Sequence, residues 1–138
     1  MTDSKPKLDF ASAAWIDEAR VVLEDLVGRL GENGRSFSVC EIFANAPRHV
    51  AASGTAAWHF YIDGRTVRVG PGVANDVDVT IRADYEAALP AARLVYTAEI
   101  LAERARARPA PSPGVSGDMS RAPAYLVELH NRLAVVTA

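Results

Sequence analysis

Residues Ala56 to Leu89 limit what this chain can fold into more than any other stretch. They read AAWHFYIDGRTVRVGPGVANDVDVTIRADYEAAL: three alternating segments that run into a helix. Asp63-Gly64 is a two-residue sequence of the kind that makes a type I′ hairpin, where both central residues take positive φ. Centred there, the turn pairs Ile62 with Arg65, Phe60 with Val67 and Trp58 with Val69. Ala56, Trp58, Phe60 and Ile62 then share a face with Val67 and Val69, while His59, Tyr61, Thr66 and Arg68 take the other. A slip of one residue would expose the whole apolar set, so pattern and turn support each other. Gly70-Pro71-Gly72 breaks the chain, and Val77 to Arg82 alternates again with Val77, Val79 and Ile81 on one side. The expectation is an antiparallel meander with one face in a core and the other nearer water.

The rest of the chain supplies helices to cover that face. Ser12 can cap a helix whose apolar stripe is Ile16, Ala19, Leu23, Leu26 and Leu30, with Gly31 as its stop. A strand is expected over Ser36 to Phe43, with Phe37, Val39 and Phe43 on one face and Glu41 interrupting it. The connection from Ala44 to Gly54 has room for a helical turn at Arg48 to Ala52. Asp84 can cap a short helix ending near Pro90, which either kinks a continuing helix or starts a new one. Ala92 to Ala107 is strongly helix-forming and ends in Arg104, Arg106 and Arg108, which suit the negative end of a helix dipole. Pro109 to Asp118 (PAPSPGVSGD) reads as a loop with at best one short edge strand at Val115. A last helix is expected over Arg121 to Val136, capped by Ser120, with Leu126, Leu129, Leu133 and Val136 as its stripe. Glu128 and Arg132 are spaced for an i,i+4 pair. The fold class expected is α+β: a small antiparallel sheet of four to five strands covered by helices from both ends of the chain.

Length and charge restrict function. The 138 residues suit one domain with one substantial core, with residues 1–9 loosely held. A formal charge of −2 gives no global attraction to nucleic acid or to an anionic membrane. No apolar run approaches the roughly 20 residues that span a bilayer. The opening MTDSKPKLDF lacks a signal peptide's apolar region, and Cys40 is the one cysteine, so a cytoplasmic setting is expected.

Candidate chemistry is sparse. His49, His59 and His130 show no metal-ligand spacing, so no metal or cofactor is expected. Cys40 on a strand reads as a small buried hydrophobe. No G-x-S-x-G elbow supports a serine nucleophile, and Gly64, Gly70 and Gly72 lack the following helix of a phosphate loop. Asp76 and Asp78 fit a solvent face and turn. The arginines at 104, 106 and 108 read first as a solvated helix end, and second as a patch for an acidic partner or lipid headgroup.

The segments AAWHFYIDGRTVRV, DVDVTIRADYEAAL and SGDMSRAPAYLVELHNRL, in that order, resemble the sterol carrier protein 2 family. Trp58, Gly64, Asp78, Val79, Thr80, Ile81, Gly117 and Asp118 occupy matching places. The likeness covers most of the chain after Ser36. The chain departs from the family at Pro90 to Asp118, where the family has a glycine, a loop and a well-formed last strand. The resemblance implies a non-enzymatic carrier of an apolar small molecule or lipid: a fatty acyl chain, a sterol or a relative. Its ligand would lie between sheet and helices against Trp58, Phe60, Val79, Ile81, Tyr85, Leu89, Val95, Leu101, Leu126, Leu129 and Leu133. The same residues can instead fill a core, which leaves an interaction module, with a protein partner or a second copy, as the alternative. A small α+β-cone enzyme would focus an Asp and a His or Tyr inward, whereas the inward strand positions here are almost wholly apolar.

Overall fold

A computed structural model describes residues 7–106 and 114–138, apart from the side chains of residues 104 and 105. In chain order its elements are α1 (Ala13–Leu30), β1 (Ser36–Ala44), β2 (Thr55–Asp63), β3 (Thr66–Pro71), β4 (Val79–Asp84), α2 (Tyr85–Arg93), α3 (Ala98–Arg106), β5 (Val115–Gly117), a 3-10 turn at Met119–Arg121, and α4 (Leu126–Ala134). The five strands form one sheet in the order β3-β2-β1-β4-β5, and α1, α2 and α4 contribute to a single core against one of its faces. The class is α+β, as the sequence pattern predicts.

Helix α1 follows its expectation closely. The Ser12 hydroxyl accepts from Trp15 N at 3.3 Å and so caps its first turn. Gly31 follows its last turn in extended conformation, and a Cβ there would run into the carbonyl oxygens of Gly64 and Val27. The buried face is wider than the expected stripe, since Trp15, Val22 and Val27 join Ile16, Ala19, Leu23 and Leu26. Leu30 is instead exposed, because the helix runs past the core edge there. The chain ends are tied together. Trp15 Nε1 donates to Thr137 Oγ1 at 3.0 Å, and that hydroxyl donates to the Leu133 carbonyl at 2.6 Å. Leu8 N donates to Val136 O at 2.7 Å, so the start of the chain is anchored by Leu8; residues 1–6 lie outside the described residues.

The sheet corrects two expectations. The hairpin register is shifted by two residues: Asp63 pairs with Thr66, Ile62 with Val67, Phe60 with Val69 and Trp58 with Pro71. Positive φ falls on Gly64 alone of the two central residues, Gly64 and Arg65, which suits a II′-type turn with glycine first. An even shift leaves every side chain on its expected face. The second correction is topological. β4 does not continue an antiparallel meander beside β3 but runs parallel to β1, from Val39↔Val79 to Ala44↔Asp84. A side-chain clasp fixes this placement. Asp78 Oδ2 accepts from Ser38 N at 2.9 Å and from Ser38 Oγ at 3.1 Å, while Asp78 N donates to Ser38 Oγ at 2.8 Å. Asp78 is thus a strand lock, not a turn marker. The sheet is mixed, and residues 72–78 cross its other face, where Gly72 N donates to Ala57 O and Ala74 N to Cys40 Sγ. That crossing buries Cys40.

The second half is more broken than its helix propensity implies. α2 is capped by Asp84, whose Oδ2 accepts from Ala87 N at 3.2 Å, and it runs through Pro90 to Arg93. Residues 94–97 are non-helical because α4 holds them: Asn131 bonds the Tyr96 backbone at both its N–H and its C=O, and His130 Nε2 lies 2.7 Å from Leu94 O. The final helix starts at Leu126, not Arg121, since Ala122-Pro123 interrupts it. Asp118, not Ser120, is the cap there, accepting from Ser120 N at 3.0 Å and closing the 3-10 turn. Arg132 pairs with Asp25 of α1 at 2.7 Å, and not with Glu128. Asp25 also takes Arg29 at 2.9 Å, and the two guanidiniums, Arg29 first, hold its carboxyl far below the usual range. β5 forms as the short edge strand considered at Val115, pairing with β4. Of the Pro109 to Asp118 segment, residues 109–113 lie outside the described residues, as do Arg108 and the Arg104 side chain.

Candidate functional site

Register sorts the inner face into rows that cross all five strands. One row runs Val69, Phe60, Val39, Val79 and Gly117, and its four side chains are buried or packed against the core. The next row runs Pro71, Trp58, Glu41, Ile81 and Val115. Pro71 at the β3 edge is exposed, and from β2 toward β5 burial falls again. Trp58 is 3% exposed, Glu41 and Ile81 are half-buried, and Val115 is 37% exposed. Among the described residues the helical layer therefore seals this row over β2 and leaves it open at β5, while Val79 and Ile81 of β4 pack against the core.

The sealed part is filled by side chains. Trp15 meets Trp58 edge-on with ring centroids 5.2 Å apart, and Phe60 lies 5.3 Å from Trp58. Phe10 packs on Trp15, Phe43 and Tyr85, and the Tyr85 hydroxyl donates to Phe10 O at 2.6 Å. This divides the eleven residues expected to line a ligand. Trp58, Phe60, Val79, Tyr85, Leu129 and Leu133 are buried core. Ile81, Leu89 and Leu126 are half-buried at its margin. Val95, at 40%, and Leu101, at 38%, are exposed beside and on α3, none of whose described residues is buried. Beside Ile81 the structure adds Val115, and Met119 follows two residues after β5, also exposed. Val115 is the position of the short edge strand considered in the sequence, while Met119 carries no sequence signal.

Glu41 is the residue whose importance the sequence pattern understates. Its spacing from Val39 and Phe43 puts it on the apolar face, where it registers merely as an interruption. In the structure its neighbours across the row are Trp58 and Ile81. Trp58 Nε1 donates to Glu41 Oε1 at 2.6 Å. Burial pushes the carboxyl's pKa up, and the indole bond offsets part of that rise. No cation pairs with it among the described residues.

The opposite face holds His59, and Asp76 is bonded to that face through Tyr61. Tyr61 donates to Asp76 Oδ1 at 2.6 Å, which raises the phenol's pKa and lowers that of Asp76. Arg68 lies over the Tyr61 ring, and His59 Nδ1 is 2.9 Å from Gly72 O. These contacts fasten residues 72–76 to the sheet. His49 pairs with Asp9, and His130 stacks on Tyr96 at 4.1 Å, so the three histidines lie apart. Among the described residues no three His, Cys, Asp or Glu side chains are grouped to hold a metal.

Two surface clefts flank α1. The larger, about 740 Å³, lies past its C-terminal end between Phe37, Ile62 and Tyr125, with Glu32, Arg35 and Arg121 at its edges. The smaller, about 420 Å³, lies past its N-terminal end and includes Ile16, Val50 and Val73. Neither is lined by any of the eleven expected residues. No helix among the described residues is long and apolar enough to cross a membrane.

No family model matches the chain, and no curated protein matches it. Among solved structures it is similar to one described as "UbiJ-SCP2 Ubiquinone synthesis protein", with 19% sequence identity, a TM-score of 0.39, and coverage of 91% of this chain and 89% of that one.

Proposed function

We propose that this chain is a non-catalytic carrier of an apolar molecule, a fatty acyl chain, sterol or related lipid, held against the inner sheet face over β4 and β5. The observation that supports it is the row from Trp58 to Val115, along which apolar inner-face side chains pass from sealed to open. An apolar sheet face that no described helix covers gains from being covered by something else. Ile81 and Val115 form the floor; Leu89 and Leu126 stand at the core margin. The filled interior moves the site outward from the centre of the sheet. Burial of ten methylenes is worth roughly 8 kcal/mol gross, from which association subtracts several, leaving a reversible complex suited to carriage. The test is native mass spectrometry with displacement of a fluorescent fatty acid. Binding that is lost in Val115→Asp, with the circular dichroism spectrum retained, is the expected result. A chain that carries no lipid and shifts no probe up to high micromolar concentration defeats the reading.

A filled interior also favours a second reading, an interaction module in which a partner or a second copy covers this face. Sedimentation of the ligand-free chain separates the two: a stable dimer abolished by Val115→Asp favours the module.

A further inference from the structure

We propose that Glu41 is the polar anchor of this site and selects a lipid with a neutral oxygen head, an alcohol or a ketone, over one headed by a carboxylate. The inference rests on the carrier reading above. Its geometry is that of one acidic side chain set in an apolar row, between the sealed Trp58 and the open Ile81–Val115 end. One carboxyl oxygen is committed to Trp58 Nε1 at 2.6 Å. The other has no hydrogen-bond partner among the described residues, yet no half-buried or buried side chain has a sealed polar atom without a partner. The second oxygen is therefore not fully sealed within the core face.

What that oxygen can recognise follows from the first bond. The indole N–H needs an acceptor, so in the neutral acid Oε1 is the carbonyl oxygen and the proton sits on Oε2. Oε2–H then donates to a ketone or alcohol oxygen. In the ionised form Oε2 accepts from an alcohol hydroxyl. An alcohol is satisfied in both states and a ketone in the neutral one. A carboxylate head brings its own negative charge into apolar surroundings, and against the ionised form a second one, beside an acid that no described cation pairs with, which is the costly arrangement. The burial that raises the Glu41 pKa also disfavours the charge of a carboxylate head placed beside it.

The test compares ligands of equal chain length, hexadecanol, 2-heptadecanone and palmitate, in displacing a neutral fluorescent lipid from the full chain at neutral pH. The wild type is expected to prefer hexadecanol to palmitate by about tenfold, the worth of about 1.4 kcal/mol. Glu41→Gln keeps an acceptor for the indole and cannot ionise, so palmitate should tighten several-fold while hexadecanol stays within about twofold. Glu41→Leu should weaken hexadecanol and the ketone about five- to tenfold, and where that variant fails to fold, the palmitate gain of Glu41→Gln decides. Equal binding of alcohol and palmitate by the wild type, or variants that shift neither, overturns the role of Glu41 while leaving the carrier reading intact. Failure of every lipid, the probe included, overturns both.

Discussion

Replacing Trp15 by Phe tests whether the space between α1 and the sheet is filled. The indole gives its N–H to Thr137 Oγ1 at 3.0 Å and its edge contacts to Phe10 and Trp58. Phe keeps an aromatic ring in place but removes the donor. Thr137 retains its bond to Leu133 O, so no hydroxyl is orphaned, and the loss is that of one hydrogen bond, about 1 kcal/mol. The missing half of the ring leaves a small void in a packed interior, about 1 kcal/mol more. The sum, about 2 kcal/mol, corresponds to a fall of roughly 8 °C in Tm for a chain of this size. Urea unfolding followed by far-ultraviolet circular dichroism should show a lower midpoint with an unchanged slope. A loss under about 0.5 kcal/mol, the range of an unremarkable surface change, would refute a filled interior. Lipid affinity should stay within about twofold, because Trp15 lies on the sealed side of the row.

Other consequences are simpler to state. Gly31→Ala forces a methyl against the Gly64 and Val27 carbonyl oxygens, and thermal melts should show a loss of about 1–3 kcal/mol; an unchanged melt contradicts that close approach. Cys40 is sealed under residues 72–78, so a thiol reagent should modify it only as fast as the chain unfolds; immediate labelling of the native protein contradicts that covering. Glu41's raised pKa makes the folded state hold its proton more tightly than the unfolded state. The associated stability is complete below the ordinary glutamate value and is lost as pH rises through the raised one. Urea midpoints of the wild type should therefore fall relative to Glu41→Gln over that window, and parallel curves contradict the burial of the carboxyl.

Much of the fold was legible because local signals carried it. Ser12, the apolar spacing to Leu26, and Gly31 defined α1 before any tertiary contact was known. The faces of β2 and β3 were legible despite the shifted register, since a two-residue shift preserves side-chain orientation. The partner of β4 was not, because it is chosen by Ser38 and Asp78, forty residues apart. The helix break at residues 94–97 was hidden for the same reason, as it depends on His130 and Asn131 reaching back from α4. For the site, the apolar identity of the eleven residues was readable, but periodicity assigns a face and says nothing of what covers it. Trp15, which closes the space over Trp58, lay outside the expected stripe of α1. Glu41 was visible as a break in the pattern, while its meaning needed the row that connects it to Trp58 and Val115.

The most direct test of a neutral lipid on the open end of the sheet is photo-crosslinking with a hexadecanol carrying a diazirine, mapped by tandem mass spectrometry. Label should concentrate at Ile81, Leu89 and Val115 and be competed away by unlabelled hexadecanol. Label at Phe37, Ile62 and Tyr125 instead, or label that excess alcohol fails to displace, would contradict the account.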